Sequence, residues 1–399
     1  MIIAGLMAGT SADALDVALV EFSDAPADSP RENEEPELAM RLLASREVPF
    51  ANDLGRDILR LLEPHEVALQ LVSSVDARLG QACAEAVAGL CAETGISCDL
   101  VASHGQTVRH DVAGGKVTST LQLGQPSWIA ETTGVPVLSD VRSRDVAAGG
   151  QGAPLVSILD HLLLSGSQTP TAMLNLGGIA NITVVAPGRE TIAFDTGPAN
   201  ALIDLMARRI TGDPHSIDRD GALASQGRVD GPFLEDLLTE PYYALPAPKS
   251  TGKELFHSAY LERHLQNHPE LDQHDAIATL TALTARTVAQ ACRAYGVSEV
   301  VASGGGTRNR TLMTRLREEL DSGASLSTTD EIFGLPEGAK EACLMALIGW
   351  LSWHGLPATL PSVTGAAHGT LAGRFTPGHR PLRLPTPLHL MPSRLRVIG

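Results

Sequence analysis

Positive charge is scarce in this 399-residue chain: 30 Lys and Arg stand against 46 Asp and Glu, a formal net charge of −16. Proteins that grip phosphate backbones carry a basic face, so no nucleic-acid partner is expected. Long apolar runs are missing as well. The best candidate, residues 343–350, is about half the roughly 18 to 20 residues of a bilayer span, so no membrane partner is expected either. The cysteines, Cys83, Cys91, Cys98, Cys292 and Cys343, include no CxxC pair. That removes the spacing of a zinc site and leaves reduced, buried thiols as the expectation. The apolar start "MIIAGLMAGTS" has no basic n-region, so a cytoplasmic protein is expected rather than a secreted one. Neither GxxxxGK[ST] nor a GxGxxG between strand and helix occurs, which excludes the P-loop and Rossmann phosphate sites.

What is present is the composition of an ordinary globular chain, 43% hydrophobic and 19% charged, long enough for two or three compact units. The opening "IIAGLMAGTSADALDVALVEF" reads as a strand to about Leu6, a Gly-rich polar turn over 8–14, and an alternating strand over 15–22. Much later "TAMLNLGGIANITVVAP" repeats that layout, with a strand to Leu176, a Gly177-Gly178 turn and a strand over 182–186. Two such hairpins predict two similar halves. Between them a helical stretch over 66–93 and short strands ending at "LVASHGQT" and "VPVLSDVR" alternate as in an α/β chain. The acidic, Pro-rich residues 23–37 read as a solvated loop. The basic, Pro-rich residues 376–399 read as a loose appendage.

Several short stretches carry the residue types of a phosphate-transfer site. In Gly9-Thr10-Ser11-Ala12-Asp13-Ala14-Leu15-Asp16, small residues let backbone N–H groups approach an anion and two hydroxyls add donors, although a plain hairpin turn fits equally well. Gly304-Gly305-Gly306, after an apolar strand and before a helix, offers a platform without Cβ atoms for a nucleoside. Hairpin, hairpin and Gly-helix is the order found in actin-like ATPases and sugar kinases. In "TIAFDTGPANALID", Asp195 is read as ending a strand just before a helix, the place of a general base or of a helix cap. "SHGQT" gathers His104, Gln106 and Thr107 after a strand. Arg142 and Arg144, with Asp140 and Asp145, suit either a carboxylate or phosphate clamp or a surface ion-pair cluster. Asp218 and Asp220 lack the Glu of a calcium loop. Lys249-Ser250-Thr251 in "PAPKSTGKELF" either contacts a ligand or caps the next segment.

Together, "GLMAGTSADALDVALVEF", "SHGQTVRH", "AAGGQGAPLV", "LNLGGIANIT", "FDTGPANALID", "PKSTGKELF", "TTDEIFGLPEGAKEA" and "LPSVTGA" resemble, in order, the anhydro-N-acetylmuramic acid kinases of bacterial cell-wall recycling. The resemblance runs from Gly5 to about Phe375. It implies an actin-like (ribonuclease H-like) two-domain sugar kinase with ATP between the domains, usually a homodimer. Domain I would comprise 1–139 plus about 356–375, and domain II 140–355. The implied reaction phosphorylates O6 of 1,6-anhydro-N-acetylmuramic acid while water opens the anhydro bridge at C1. Asp195 would be the base for that water. Residues 9–16, Gly177, Gly178, Asn181 and Gly304–Gly306 would meet ATP. His104, Gln106, Thr107, Arg142 and Glu341 would meet the sugar, Arg142 at its lactyl carboxylate. Mg²⁺ is expected from the chemistry of phosphoryl transfer, with no ligands assigned by the sequence.

The chain departs from the family pattern at Ala12, at Ala14, where the family usually has Gly, at Gln125 in place of an Asp, and at Thr359 in place of an Asn. If the first turn needs a positive φ, Ala14 is strained. Two alternatives follow from these departures: a levoglucosan kinase, acting on unsubstituted anhydroglucose, and a catalytically silent sugar-binding regulator.

Overall fold

A computed structural model describes residues 1–9, 14–24, 36–63, 65–252 and 254–399. Among the described residues the strands are β1 (Ile2–Ala8), β2 (Ala14–Asp24), β3 (Glu37–Pro49), β4 (Leu100–Ser103), β5 (Gln106–Ala113), β6 (Lys116–Leu123) and β7 (Val137–Ser139). They continue with β8 (Thr171–Leu176), β9 (Ile179–Val185), β10 (Ile192–Pro198), β11 (Glu299–Ser303), β12 (Ser325–Thr328), β13 (Arg374–Thr376) and β14 (Arg394–Val397). The chain divides into one unit of Met1–Ser165 with Gly334–Gly399 and a second of Gly166–Phe333.

The first unit is built on a seven-stranded sheet in the order β13-β7-β4-β1-β2-β3-β14, with β5 and β6 as a separate hairpin. β1, β2 and β3 form an antiparallel meander, and β4 and then β7 add in parallel beside β1. The second unit has the order β10-β9-β8-β11-β12 and the same pairing senses, with β8 to β10 as the meander and β11 and β12 parallel. The two halves predicted from the hairpins therefore share one topology. Central strands of this kind are covered on both faces and read as continuous apolar runs. "IIAGLMA" and "TAMLNL" are such runs, and nearly all of their residues are buried.

The unit boundaries differ from the expected 139/140 and 355/356. Packing explains the shift at the second junction. The helix Lys340–Trp353, which contains the apolar run around residue 343, is buried along most of its length because it lies on β1. A Cβ on Gly5 would stand 1.9 Å from the Ala342 carbonyl oxygen and 2.8 Å from the Ala346 nitrogen, so strand and helix touch backbone to backbone. No helix among the described residues is long and apolar enough to cross a membrane.

The expectation of a loose tail is also corrected. β14 pairs in parallel with β3 from Arg394↔Glu37 to Val397↔Met40, and Leu395 is buried. The alternation in "RLRV" supplied an edge strand that the surrounding prolines disguised. The cysteines are unpaired; Cys91 is half-buried and the other four are buried, and burial pushes the thiols of Cys83, Cys98, Cys292 and Cys343 up to about 12. Gly5→Ala is expected to destabilise the chain by about 2 kcal/mol or more, through overpacking against a backbone that cannot yield; thermal or urea unfolding would measure it.

Candidate functional site

In the second unit, strand register gathers polar groups at one end of the sheet. Ser303 of β11 pairs with Asn175 of β8, Asn175 with Asn181 of β9, and Asn181 with Asp195 of β10. Residues opposite one another across strands share a face, so the four side chains form one row. Their sequence neighbours Leu174, Leu176, Ile182 and Phe194 point into the core. The row lies at the carboxyl ends of the parallel strands β8 and β11, where open α/β sheets bind ligands. In the first unit the corresponding row is Ser103, Leu6, Val17 and Arg46, whose central pair is apolar and buried.

Asp195 sits inside β10, three residues before its end, and a register shift falls between it and Gly197. The helix that follows, Asn200–Thr211, does not use Asp195 as a cap. Its first N–H groups go to the turn instead: Ala199 and Ala201 donate to the Gly178 carbonyl, and Asn200 donates to that of Gly177. Asp195 Oδ2 accepts from Ser250 Oγ at 3.0 Å and from the Thr251 N–H at 2.9 Å. Burial pushes this carboxyl above its ordinary range, the two donors pull it back, and nearby Glu254 adds to the rise. A carboxylate held at one oxygen, with the other not engaged by these donors, is suited to take a proton.

The glycine turn after β11 is built for close approach. Gly304 has φ +87°, and a Cβ there would stand 2.6 Å from Asn175 Oδ1; a Cβ on Gly306 would stand 2.7 Å from Leu176 Cβ. Gly305 has nothing within 4 Å of its Cβ position, and around Gly177 and Gly178 the nearest atoms are 3.5 and 3.9 Å away. The turn therefore abuts β8 on one side and leaves room beside Gly305, Gly177 and Gly178.

In the first unit the sugar-side candidates fall into one polar cluster, apart from Thr107 and Gln106 at its hairpin edge. Arg142 donates from Nε to His104 Nε2 at 2.9 Å and from Nη1 to the Gly152 carbonyl at 2.6 Å. His104 Nδ1 therefore carries the proton and donates to the Gly105 carbonyl at 2.7 Å. Burial and the Arg142 charge push His104 down to about 3, so the ring stays neutral and serves as an acceptor. Burial also brings Arg142 down to about 10, against the pull of Glu341. Three N–H groups of the guanidinium remain beyond those two bonds. The surface ion-pair alternative for Arg142 is thus replaced by a half-buried, pre-aimed guanidinium.

Glu341 lies in the first turn of Lys340–Trp353; burial raises its carboxyl while Lys340 and Arg142 oppose the rise. Lys340 itself is buried in an ion pair with Asp160 at 2.8 Å. Gln106 is buried and opens β5, and Thr107 Oγ1 accepts from Gln122 Nε2 at 3.1 Å. Asp145 is a structural carboxylate, fully buried between the Gly152 N–H and the Thr364 hydroxyl.

Of the first phosphate turn, Thr10, Ser11, Ala12 and Asp13 lie outside the described residues. Gly9 follows β1, Leu15 is buried in the core, and Asp16 pairs in register with Met7 and Glu47. Ala14 opens β2 opposite Pro49 and is not among the positive-φ residues, so the expected strain at this position is absent. Gln125 caps the helix Pro126–Thr133 by accepting from the Ser127 N–H, and Thr359 bonds Thr370 in the interior. Asp218 accepts from the Leu223 and Ala224 N–H groups and shapes a turn.

Sequence reasoning left Ser250 and Thr251 without a target and missed Tyr242, whose hydroxyl donates to the Asp195 carbonyl at 2.8 Å. The signal was the run "PKSTGKELF", though nothing in it says which carboxylate it serves.

The same five-strand order repeated twice, with glycine turns at strand ends, is the architecture of actin-like ATPases and sugar kinases. Comparison narrows the class. The sequence pattern described as anhydro-N-acetylmuramic acid kinase matches residues 1–378. The chain is 50% identical to the anhydro-N-acetylmuramic acid kinase of Streptomyces coelicolor over 100% of both chains. To that of Rhodococcus erythropolis it is 45% identical over 100% of this chain and 99% of the other. Among solved structures it is similar to a ROK family glucokinase from Streptomyces griseus in complex with glucose and AMPPNP. That match has a TM-score of 0.38 and 12% identity, and covers 87% of this chain and 99% of the other. The chain belongs to the anhydro-N-acetylmuramic acid kinase family.

Because burial raises the Asp195 carboxyl in the folded chain, the folded state binds that proton more tightly than the unfolded one. Its contribution to stability therefore falls as pH rises from the ordinary carboxylate value through the raised one. Asp195→Asn is expected to melt at or above the wild-type temperature near neutral pH. The difference should narrow as the pH is lowered toward the ordinary carboxylate range, as paired thermal melts would show.

Proposed function

We propose that this chain phosphorylates O6 of 1,6-anhydro-N-acetylmuramic acid while water opens the anhydro bridge, yielding N-acetylmuramate 6-phosphate and ADP for cell-wall recycling. The observation that carries the reading is the Asp195 carboxylate, held through Oδ2 in a polar row at the carboxyl end of the sheet. Asp195 takes a proton from the water that attacks C1. The C1–O6 bond breaks, O6 attacks the γ-phosphorus, and the bond from that phosphorus to ADP breaks. A carboxylate can serve a water in this way without a large pKa shift when bond breaking at C1 is well advanced.

Gly304–Gly306 form the nucleoside platform, and the turns at Gly9 and at Gly177-Gly178, with Asn181, meet the phosphates. Arg142, aimed by His104, recognises the lactyl carboxylate through its remaining donors. Glu341, Gln106 and Thr107 bind sugar hydroxyl or amide groups. Among the described residues no three His, Cys, Asp or Glu side chains cluster as a metal cage. Mg²⁺ would neutralise charge on the transferring group, as phosphoryl transfer requires. The protein works in the cytoplasm as a homodimer.

The departures at Ala14, Gln125 and Thr359 have structural roles without strain, so they lend no support to a silent regulator. ADP release with Mg²⁺ and ATP is expected with 1,6-anhydro-N-acetylmuramic acid and not with N-acetylmuramic acid or without sugar. A preference for levoglucosan would move the assignment to the sister activity. Asp195→Asn should abolish ADP release while calorimetry still detects sugar binding; normal turnover by this variant would remove Asp195 as the base. Arg142→Gln should raise KM for the anhydromuramyl sugar by roughly 30-fold, about 2 kcal/mol of charge-assisted hydrogen bonding, and leave any levoglucosan turnover nearly unchanged.

A further inference from the structure

β10 is an edge strand, and segment 242–251 hydrogen-bonds to it at Asp195. That segment engages Asp195 four times. The Asp195 N–H donates to the Lys249 carbonyl at 3.1 Å, and the Tyr242 hydroxyl donates to the Asp195 carbonyl at 2.8 Å. Ser250 Oγ and the Thr251 N–H complete the set at Oδ2. The orientation of the carboxylate therefore depends on how this segment is itself fixed.

Its two ends are fixed differently. Tyr242 is buried among Tyr243, Phe256 and Tyr260, in edge-to-face contact with Phe256 at 6.1 Å between ring centroids. Leu245, Pro246, Ala247 and Lys249, with Tyr243, line a cavity of about 320 Å³ shared with Phe194 and Thr287. Leu245, Pro246 and Pro248 are exposed there, while Ala247 packs against the core. What ties this stretch to the buried end is Lys249: its Nζ donates to the carbonyls of Tyr242 and Tyr243, each at 3.1 Å, and lies 4.6 Å from the centre of the Tyr242 ring.

We infer that Lys249 is a positioning residue for the Asp195 carboxylate: by clamping residues 249–251 to the buried Tyr242 end, it keeps Ser250 and Thr251 on Oδ2 and leaves Oδ1 for the attacking water. The inference rests on the reading of Asp195 as the base. Lys249 touches neither proton nor water in this scheme, and its effect reaches the reaction only through Asp195. Losing the clamp removes two donors that hold the carboxyl down, so the pH dependence of turnover must move as well as its rate.

The test uses the full chain with Lys249→Met, Lys249→Gln, Lys249→Arg, Tyr242→Phe and Asp195→Asn, each checked for folding by thermal melting. Lys249→Met is expected to lower kcat by roughly 10- to 100-fold, with KM for ATP and sugar changed less than about threefold. The acid limb of its kcat profile should shift to higher pH, and Lys249→Arg should restore most of kcat. Tyr242→Phe keeps the carbonyls that Lys249 grips and loses only the bond to the Asp195 carbonyl, so its acid limb should stay with that of the wild type. If Lys249→Met does not fold, Lys249→Gln decides, and wild-type kcat and acid limb in that variant would overturn the inference. A change confined to KM would make Lys249 a ligand contact and overturn it too. A dead Asp195→Asn beside wild-type behaviour of Lys249→Met removes this inference alone, whereas turnover by Asp195→Asn removes the base reading and this one with it.

Discussion

A carboxylate on an edge strand has a neighbouring strand on one side only, and Asp195 Oδ2 is held by hydrogen bonds from a segment some fifty residues further along the chain. The 2.9 and 3.0 Å bonds to its Oδ2 are the constraint around which the second unit is arranged. They oppose the burial that raises its pKa, and they leave Oδ1 outside both bonds. Everything else at that end of the sheet follows strand register: once Asp195 is opposite Asn181, Asn175 and Ser303 fall into the same row.

Duplication gives the contrast that makes this row informative. Five strands of the first unit follow the order of the second, yet the corresponding positions of the first unit hold Leu6 and Val17 in its core. The same strand order thus carries different side chains. The first unit places its polar groups beyond the strands, where the neutral His104 ring accepts from Arg142 and aims the guanidinium. A neutral acceptor next to a fixed cation orients it without neutralising it, which suits recognition of an anion.

Much of this was legible in the sequence. The two Gly-turn hairpins, the α/β alternation and the strings around Asp195 and His104 mark fold and family, because hydrophobic period and glycine placement are local properties. The less legible parts depend on contacts between distant segments. The tail's prolines concealed a strand that forms only because β3 offers it an edge, and Ala14 looked strained until its pairing with Pro49 showed extended backbone. Arg142 could be a surface ion pair or a clamp by sequence alone; its bonds to His104 and Gly152 take it out of a surface ion-pair cluster.

The sequence by itself determined the repeated topology and the family, and it singled out Asp195 as the candidate base, since each is written in contiguous residues. Only the tertiary structure decided how that carboxylate is held, that Lys249 ties residues 249–251 to Tyr242, and that Gln125 and Thr359 are structural replacements. The physical reason is that hydrogen-bond direction and burial depend on which segments meet in space. A one-dimensional pattern records the donors and acceptors without saying which of them pair.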